Sequence, residues 1–162
     1  MRLRRLEPDD WECWRDMRLA ALSDSPDAFA SSLAEEGDYT EARWRDWIRP
    51  ASQLQVVVEG GAGMVGAWKA EHQPAVELYS MWVHPEWRGR GIGDLLVGEV
   101  LDWAAAQGHQ RVALWVAEGN VAAERLYRRH GFQMTDERQP HPGYPGVFER
   151  AMTLRLDAAR TG

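Results

Sequence analysis

The stretch HPEWRGRGIGDLL, residues 84–96, combines residue types that suit the binding of a phosphate group. Its bare-backbone and cationic positions are Arg88, Gly89, Arg90, Gly91 and Gly93, followed by Asp94. The first N–H groups of a helix have no intrahelical acceptor and carry partial positive charge, so they bind phosphate oxygens well. Glycine lets this backbone approach a ligand without a Cβ in the way and tolerates a positive φ. The pattern therefore predicts a phosphate-binding turn where a helix begins.

Two familiar phosphate loops do not fit this stretch. A Walker A loop needs Lys followed by Ser or Thr, and no such pair is present. A dinucleotide loop needs Gly-x-Gly-x-x-Gly, but the third position is Asp94 when counted from Gly89 and Leu96 when counted from Gly91. The order that remains is Arg-x-x-Gly-x-Gly. A turn that merely connects a strand to a helix is the alternative to a phosphate site.

A second stretch, GNVAAERLYRRHGF at 119–132, follows the next apolar run. Together the two stretches resemble the two signatures of the GNAT superfamily of acyl-CoA-dependent N-acyltransferases, in the family's order. The resemblance is continuous from about Val76 to Phe132, whereas the flanking thirds agree only in the order of their elements. It implies an acetyltransferase that uses acetyl-CoA as its acyl donor.

The resemblance also implies how the coenzyme binds. The strand before the loop would splay from the strand at 111–117, and the pantetheine arm would lie in the gap against backbone groups of Met81 and Val83. The backbone of 88–94 would hold the pyrophosphate. Arg88 or Arg90 would reach a ribose phosphate, unless both arginines simply form a solvated face. Asn120 either caps the helix that it starts or contacts the coenzyme arm.

Two residues are candidates for proton transfer by the same resemblance. Tyr127 would be the general acid that protonates the departing thiolate, and its alternative role is a packed tyrosine. The attacking amine must be neutral, so a general base is useful, and Glu77 is the best candidate. Strand alternation places Glu77 on one face with Tyr79, Met81 and Val83, although a solvent-facing carboxylate is an equal alternative.

One position departs from part of the family. Relatives that acetylate protein N-termini place a Glu five residues before the Asn, where this chain has Trp115. This departure argues against acetylation of a protein N-terminus and leaves the identity of the base open, while acetylation of a protein amine stays an alternative function. The acceptor end, by resemblance, would draw on the first loop and the last hairpin, whose candidates are Phe29, Glu35, Glu36, Asp38, Tyr39, His141, Tyr144 and Phe148. The acidic residues among them suit a cationic amine or simply form a solvated run.

The elements that would position these residues follow from the periodicity of the chain. Strand-like runs at 54–60, 64–70 and 75–83 predict a meander of three strands. Helices are predicted at 92–107 and 120–130. Two further helices precede them, at about 9–22 and 40–48, and 28–39 is expected to be a loop or frayed turn. We expect one α+β domain over 1–162, with a single mixed, mostly antiparallel sheet of about seven strands, splayed in the middle and flanked by about four helices.

Composition narrows the class of protein. The chain has 162 residues and a net charge of −6, so no overall basic field favours nucleic acid or an anionic membrane. A single cysteine, Cys13, excludes an internal disulfide framework and suits a reducing cytoplasm. Neither a signal peptide nor a membrane span is predicted. No metal site is expected.

Three functions compete. The favoured one is transfer of acetyl from acetyl-CoA to a primary amine of a small molecule, by direct attack in a ternary complex. A non-catalytic coenzyme A sensor is the second, and a nucleic-acid or partner-binding domain that uses Arg125, Arg128 and Arg129 is the third. The acceptor, the acyl chain length and the oligomeric state stay open. Apolar residues of the final strand would suit either the core or a homodimer edge, namely Val147, Met152, Leu154 and Leu156.

Overall fold

A computed structural model describes residues 1–156, which form seven β-strands and five α-helices. The strands are β1 (Leu3–Arg5), β2 (Gln53–Val58), β3 (Gly63–Trp68), β4 (Val76–Val83), β5 (Arg111–Ala117), β6 (Gln133–Pro140) and β7 (Phe148–Arg155). The helices are α1 (Trp11–Asp24), α2 (Leu33–Gly37), α3 (Glu41–Trp47), α4 (Ile92–Ala106) and α5 (Val121–Arg129).

All seven strands belong to one sheet with the order β1-β2-β3-β4-β5-β7-β6. Neighbours pair antiparallel except β4 and β5, which are parallel. The parallel pair is in register only at Val76–Val112 and Glu77–Ala113, although both strands run on for several residues. The sheet is therefore splayed in its middle, and the predicted fold class is confirmed.

Helices cover both faces of the sheet. α4 buries Leu96, Val97, Val100 and Leu101 against one face, where Tyr127 of α5 also packs. α1 and α3 cover the other face with an aromatic cluster in which Trp44 stacks on Trp47, with ring centroids 5.6 Å apart. The tryptophan pairs spaced three residues apart, Trp11 with Trp14 and Trp44 with Trp47, are thus mainly core residues.

Local signals fix most helix ends as predicted. Thr40 accepts a hydrogen bond from the N–H of Arg43 (3.2 Å) and caps α3. Gly108 takes φ of 82° just after α4, the left-handed conformation that often ends helices. No helix within residues 1–156 has the length and apolar character needed to cross a bilayer.

Two details differ from expectation. α2 is a short helix within 28–39, where a loop or frayed turn was expected, and Ser32 caps it by accepting from the N–H of Glu35 (3.1 Å). The final strand is not a sheet edge, because β7 lies between β5 and β6. Met152 and Leu156 lie in the core and Leu154 packs against it, which agrees with the core packing that the sequence favours over a homodimer edge.

Candidate active site

The glycine loop connects the end of β4 to the start of α4. After Val83 the chain makes a short turn at Pro85–Trp87, which His84 caps by accepting from the N–H of Glu86 (3.1 Å). Gly89 and Gly91 follow with φ of 77° and 80°, in the left-handed region that favours glycine. His84 therefore has a structural role here.

The loop presents backbone donors that the protein itself leaves unused. Among residues 1–156, no protein acceptor bonds to the backbone N–H groups from Gly89 to Asp94. The next N–H, of Leu95, donates to the Gly91 carbonyl (3.2 Å) and begins the helical ladder. A Cβ at Gly89 or Gly91 would meet no atom within 4 Å, so space lies open above the loop. These donors at a helix N-terminus fit an anionic group.

The two arginines of the loop have protein contacts of their own. Arg88 donates from Nη2 to Asp24 Oδ2 (2.6 Å) and from Nε to the Val83 carbonyl (3.0 Å). Arg90 lies over the ring of Trp87, 5.0 Å from its centroid, and is exposed. Arg88 thus fastens the loop to the end of α1, while Arg90 projects from the loop into solvent.

A cleft of about 350 Å³ opens where β4 and β5 diverge. Its lining comes from six parts of the chain: Arg18 of α1, Ala28–Ala30 after α1, Glu77–Met81 of β4, Trp115–Ala117 of β5, one side of α5, and the hairpin of β6 and β7. The loop adjoins this cleft through Gly93, where a Cβ would lie 3.0 Å from Leu126, a lining residue. The splayed cleft and the glycine loop are therefore neighbours.

β4 carries a bulge beside the cleft. The register with β3 passes from Gly66–Tyr79 to Met64–Trp82, so Ser80 and Met81 together face Val65. Ser80 has φ of 55°, which is uncommon for a residue other than glycine.

The bulge overturns one expectation about side-chain direction. Leu78, Met81 and Val83 pack on the α4 face, whereas Tyr79 and Trp82 pack on the opposite face. Glu77 therefore shares a face with Tyr79 but not with Met81 and Val83, because the extra residue reverses the alternation. The backbone of Met81 still borders the cleft.

Glu77 is a half-buried carboxylate in the cleft lining. Its Oε2 accepts from the indole N–H of Trp68 (3.3 Å). Burial raises the pKa of Glu77, and the nearby charge of Glu149 raises this pKa further. Glu149 lies in the same lining and accepts from Gln139 Nε2 (2.6 Å). A carboxyl group with a raised pKa in a cleft is a candidate for proton transfer.

Tyr127 lies on α5 with only 6% of its surface exposed, and it lines the cleft. Its ring packs edge-on against Phe132, with centroids 5.8 Å apart. Burial raises the pKa of Tyr127 well above its ordinary value, and no residue among 1–156 lowers it by hydrogen bonding or charge. The phenol is therefore held protonated beside the cleft.

Asn120 and Asp94 have structural contacts. The Asn120 side chain accepts from the N–H of Ala123 (3.2 Å) and so caps α5, which realises the capping alternative while the residue also lines the cleft. Asp94 Oδ1 lies 2.9 Å from His130 Nε2, and Asp94 Oδ2 pairs with Arg129 Nη2 at 3.2 Å. Burial raises the pKa of Asp94, but the hydrogen bonds and charges of Arg129 and His130 outweigh burial and lower it. These contacts join the first turn of α4 to the end of α5.

The acceptor-end candidates are divided by the structure. Phe29 lines the cleft. Glu36 does not belong to a solvated acidic run, because it is 2% exposed and forms a bidentate pair with Arg18 (2.8 Å for both bonds). His141 is buried within its own loop, where Nδ1 accepts from the N–H of Gly143 (3.0 Å).

Several lining residues were missed from the sequence. Glu149 and Gln139 lie on strands whose position beside β5 follows only from the sheet order. Arg18 lies on α1, for which the sequence predicts only a helix. A charged residue at a core position of a helix was the available signal, since such a residue needs a buried partner.

Cys13 lies apart from the proton-transfer candidates. Cys13 lines a separate groove between α1 and the β2–β3 hairpin, away from the cleft. Among residues 1–156, no group of three or more His, Cys, Asp or Glu side chains is arranged to hold a metal ion.

The profile of the acetyltransferase (GNAT) family matches residues 5–132. A mycothiol acetyltransferase of Thermobispora bispora is 33% identical over 141 residues, which cover 82% of this chain and 46% of that protein. The chain spans less than half the length of the mycothiol acetyltransferases that it matches.

Solved structures share the fold. An acetyltransferase of the GNAT family from Streptococcus pneumoniae superposes with a TM-score of 0.81 at 22% identity, over 96% of this chain and 99% of that one. Spermidine N-acetyltransferase from Vibrio cholerae, in complex with CoA and spermine, has a TM-score of 0.75 at 20% identity, over 95% and 94% of the two chains. With the match of the family profile, these findings show that the chain belongs to the acetyltransferase (GNAT) family.

Proposed function

We propose that the protein transfers an acetyl group from acetyl-CoA directly to a primary amine of a small molecule. The observation that carries the proposal is the set of unused N–H donors from Gly89 to Asp94, placed beside a cleft between β4 and β5. Membership of the acetyltransferase (GNAT) family supports it.

The residues present fit coenzyme A, which supplies the acetyl group as a thioester. The backbone of 88–94 would hold the diphosphate, because its donors are unused and the space above Gly89 and Gly91 is open. Arg90, exposed on the loop, would meet a further phosphate. The backbone of Met81 and Val83, beyond the last paired residue of β4 and β5, would border the arm.

Tyr127 would give its proton to the departing thiolate. Its hydroxyl is kept protonated by burial, and the residue lines the cleft. A thiol with a pKa of about 8.5 is already a fair leaving group, so the contribution of this proton should be modest.

Glu77 would accept a proton from the amine. The raised pKa of Glu77 lies closer to neutral pH than the pKa of an ordinary glutamate, which suits a general base. Glu149 lies in the same lining and adds negative charge that favours a cationic acceptor. Cys13 lies outside the cleft, so no covalent acetyl-cysteine step is needed.

A small-molecule acceptor is supported by relatives that carry names of small molecules. They are a mycothiol acetyltransferase and a spermidine N-acetyltransferase. Trp115 lines the cleft at the position where relatives that acetylate protein N-termini carry a Glu, which favours a small molecule over a protein amine.

Thiol release with a broad panel of amines tests the proposal, beside calorimetric titration of acetyl-CoA. We expect saturable acetyl-CoA binding and amine-dependent release of free coenzyme A, both retained in Cys13→Ala. Binding without turnover across the panel would favour a coenzyme A sensor. Absence of binding would refute both functions, and acetyl retained covalently on the protein would refute direct transfer.

A further inference from the structure

Arg18 on α1 forms a buried cluster with residues from three other parts of the chain. Its Nε and Nη2 donate to the two carboxylate oxygens of Glu36 (2.8 Å each), and its Nη1 donates to Ser80 Oγ (2.5 Å). The side chains of Arg18 and Glu36 are only 7% and 2% exposed. We call Arg18, Glu36 and Ser80 the bulge clamp.

Aromatic neighbours hold the Arg18 guanidinium of the clamp in place. The Arg18 guanidinium lies over the ring of Phe29 at 4.8 Å and over that of Trp47 at 5.3 Å. Two aromatic faces and a bidentate carboxylate leave the planar guanidinium one orientation. Nη1, which the carboxylate leaves unused, is thereby aimed at Ser80.

Ser80 needs such support because of its backbone. It has φ of 55° in the bulge, a conformation that residues other than glycine adopt uncommonly and that persists only where the surroundings fix it. A second feature fixes the same bulge from β3: a Cβ at Gly66 would lie 2.5 Å from the Tyr79 ring, so glycine there admits the ring.

The bulge matters because it lies where β4 borders the cleft. Past Glu77 the strand is no longer paired with β5, and Ser80 and Met81 are lining residues. The clamp also connects β4 to the lining segment Ala28–Ala30, because Phe29 of this segment contacts Arg18 and Glu36 follows it along the chain.

We infer that Arg18 is a positioning residue, which holds the β4 bulge through Ser80 so that the Met81 backbone is set for the acyl-donor arm. This role rests on the proposed function. The hydrogen bond of Arg18 to Ser80 transmits this role to the backbone of β4. Small displacements of such a backbone reduce ligand affinity and reaction rate together.

The test replaces both buried charges at once. Arg18→Met with Glu36→Met removes the pair without leaving an unpaired charge, and such replacements commonly preserve stability. We expect a melting temperature close to that of the unaltered protein, but coenzyme A affinity about tenfold weaker or more, because the arm site loses its fixed geometry. Backbone amides of 78–83 should exchange hydrogen faster, while those of β6 and β7 keep their rates.

A matched control makes the same change away from the cleft. Arg5 and Glu99 form an ion pair (2.7 Å) between β1 and α4, and Arg5→Met with Glu99→Met should leave coenzyme A affinity unchanged. Ser80→Gly added to the Arg18, Glu36 double variant should restore most of the lost affinity, because glycine adopts the left-handed conformation without support.

The outcomes separate the two proposals. If the unaltered protein does not bind coenzyme A, the proposed function falls and this role falls with it. If it binds, and the double variant binds equally with unchanged amide exchange at 78–83, the positioning role alone is refuted. A loss that Ser80→Gly does not recover would refute the route through the bulge. Should the double variant not fold, Ser80→Ala against Ser80→Gly makes the same comparison, with loss expected only in the first.

Discussion

The Arg88 guanidinium donates to the Asp24 carboxylate at 2.6 Å and thereby joins the glycine loop to the end of α1. Asp24 also accepts from the Trp82 indole N–H (2.9 Å), and these bonds lower the pKa of Asp24. The relationship gives Arg88 a role in holding the loop, in addition to any contact with a phosphate.

The loop assignment predicts the effect of reversing this charge. Arg88→Glu should weaken coenzyme A binding by at least about tenfold, since a hydrogen bond to a charged group contributes about 1.5–3 kcal/mol. The new carboxylate also faces Asp24, which loosens the loop. Calorimetric titration measures the change.

Two further variants sharpen that measurement. Asp24→Asn keeps Arg88 but weakens its tether, so an intermediate loss of affinity is expected. Arg155→Glu makes the same charge reversal beside Arg111, at the opposite end of β5, and should leave affinity unchanged. Equal affinity in Arg88→Glu and the unaltered protein would contradict the loop assignment.

Two glycines near each other should respond oppositely to alanine. Gly91 has φ of 80°, so Gly91→Ala should lower the free energy of unfolding by about 1–2 kcal/mol. Gly98 lies inside α4 with no atom near its missing Cβ, so Gly98→Ala should raise it by about 0.5–1 kcal/mol. Urea unfolding of both variants measures these changes in the free energy of unfolding. Stabilisation by Gly91→Ala would contradict the left-handed conformation of Gly91.

Tyr127→Phe removes the phenolic hydroxyl and keeps the aromatic ring. The ring keeps its edge-on contact with Phe132, so the melting temperature and coenzyme A affinity should not change. Turnover with the best amine of the panel should fall by about 10²-fold, because one general acid is lost. Unchanged kcat in this variant would leave Tyr127 as a packing residue.

The pH profile reports on Glu77. Burial and Glu149 raise its pKa, so the active carboxylate is lost as pH falls through a value above the ordinary one of about 4.3. The acid limb of kcat/KM should therefore lie above that value and disappear in Glu77→Gln. Glu149→Gln removes the like charge and should shift the limb to lower pH. A limb that persists in Glu77→Gln would assign the base elsewhere.

Local patterns were sufficient for most elements and for the glycine turn at the start of α4. The spacing of Gly89, Gly91 and Gly93 and the apolar period of α4 depend on neighbouring residues, so one sequence reveals them. The splayed sheet followed from the family resemblance and is confirmed by the two-residue register of β4 with β5.

Features that depend on distant contacts were not predictable in the same way. The bulge at Ser80 reverses the faces of β4, yet Ser80 carries no local sign of it. Glu36 resembles its exposed acidic neighbours along the chain, and only the fold brings Arg18 to it across 18 positions. Glu149 enters the cleft because β7 inserts between β5 and β6.

Titration of the ¹⁵N-labelled protein with coenzyme A, followed residue by residue through its amide signals, tests the central claim most directly. We predict saturable binding with the largest shifts at Gly89–Asp94, whose N–H groups would gain phosphate acceptors, and at Leu78–Val83 beside the arm. Saturable binding that leaves the loop amides unshifted, or no binding at all, would contradict the claim that this loop holds the diphosphate.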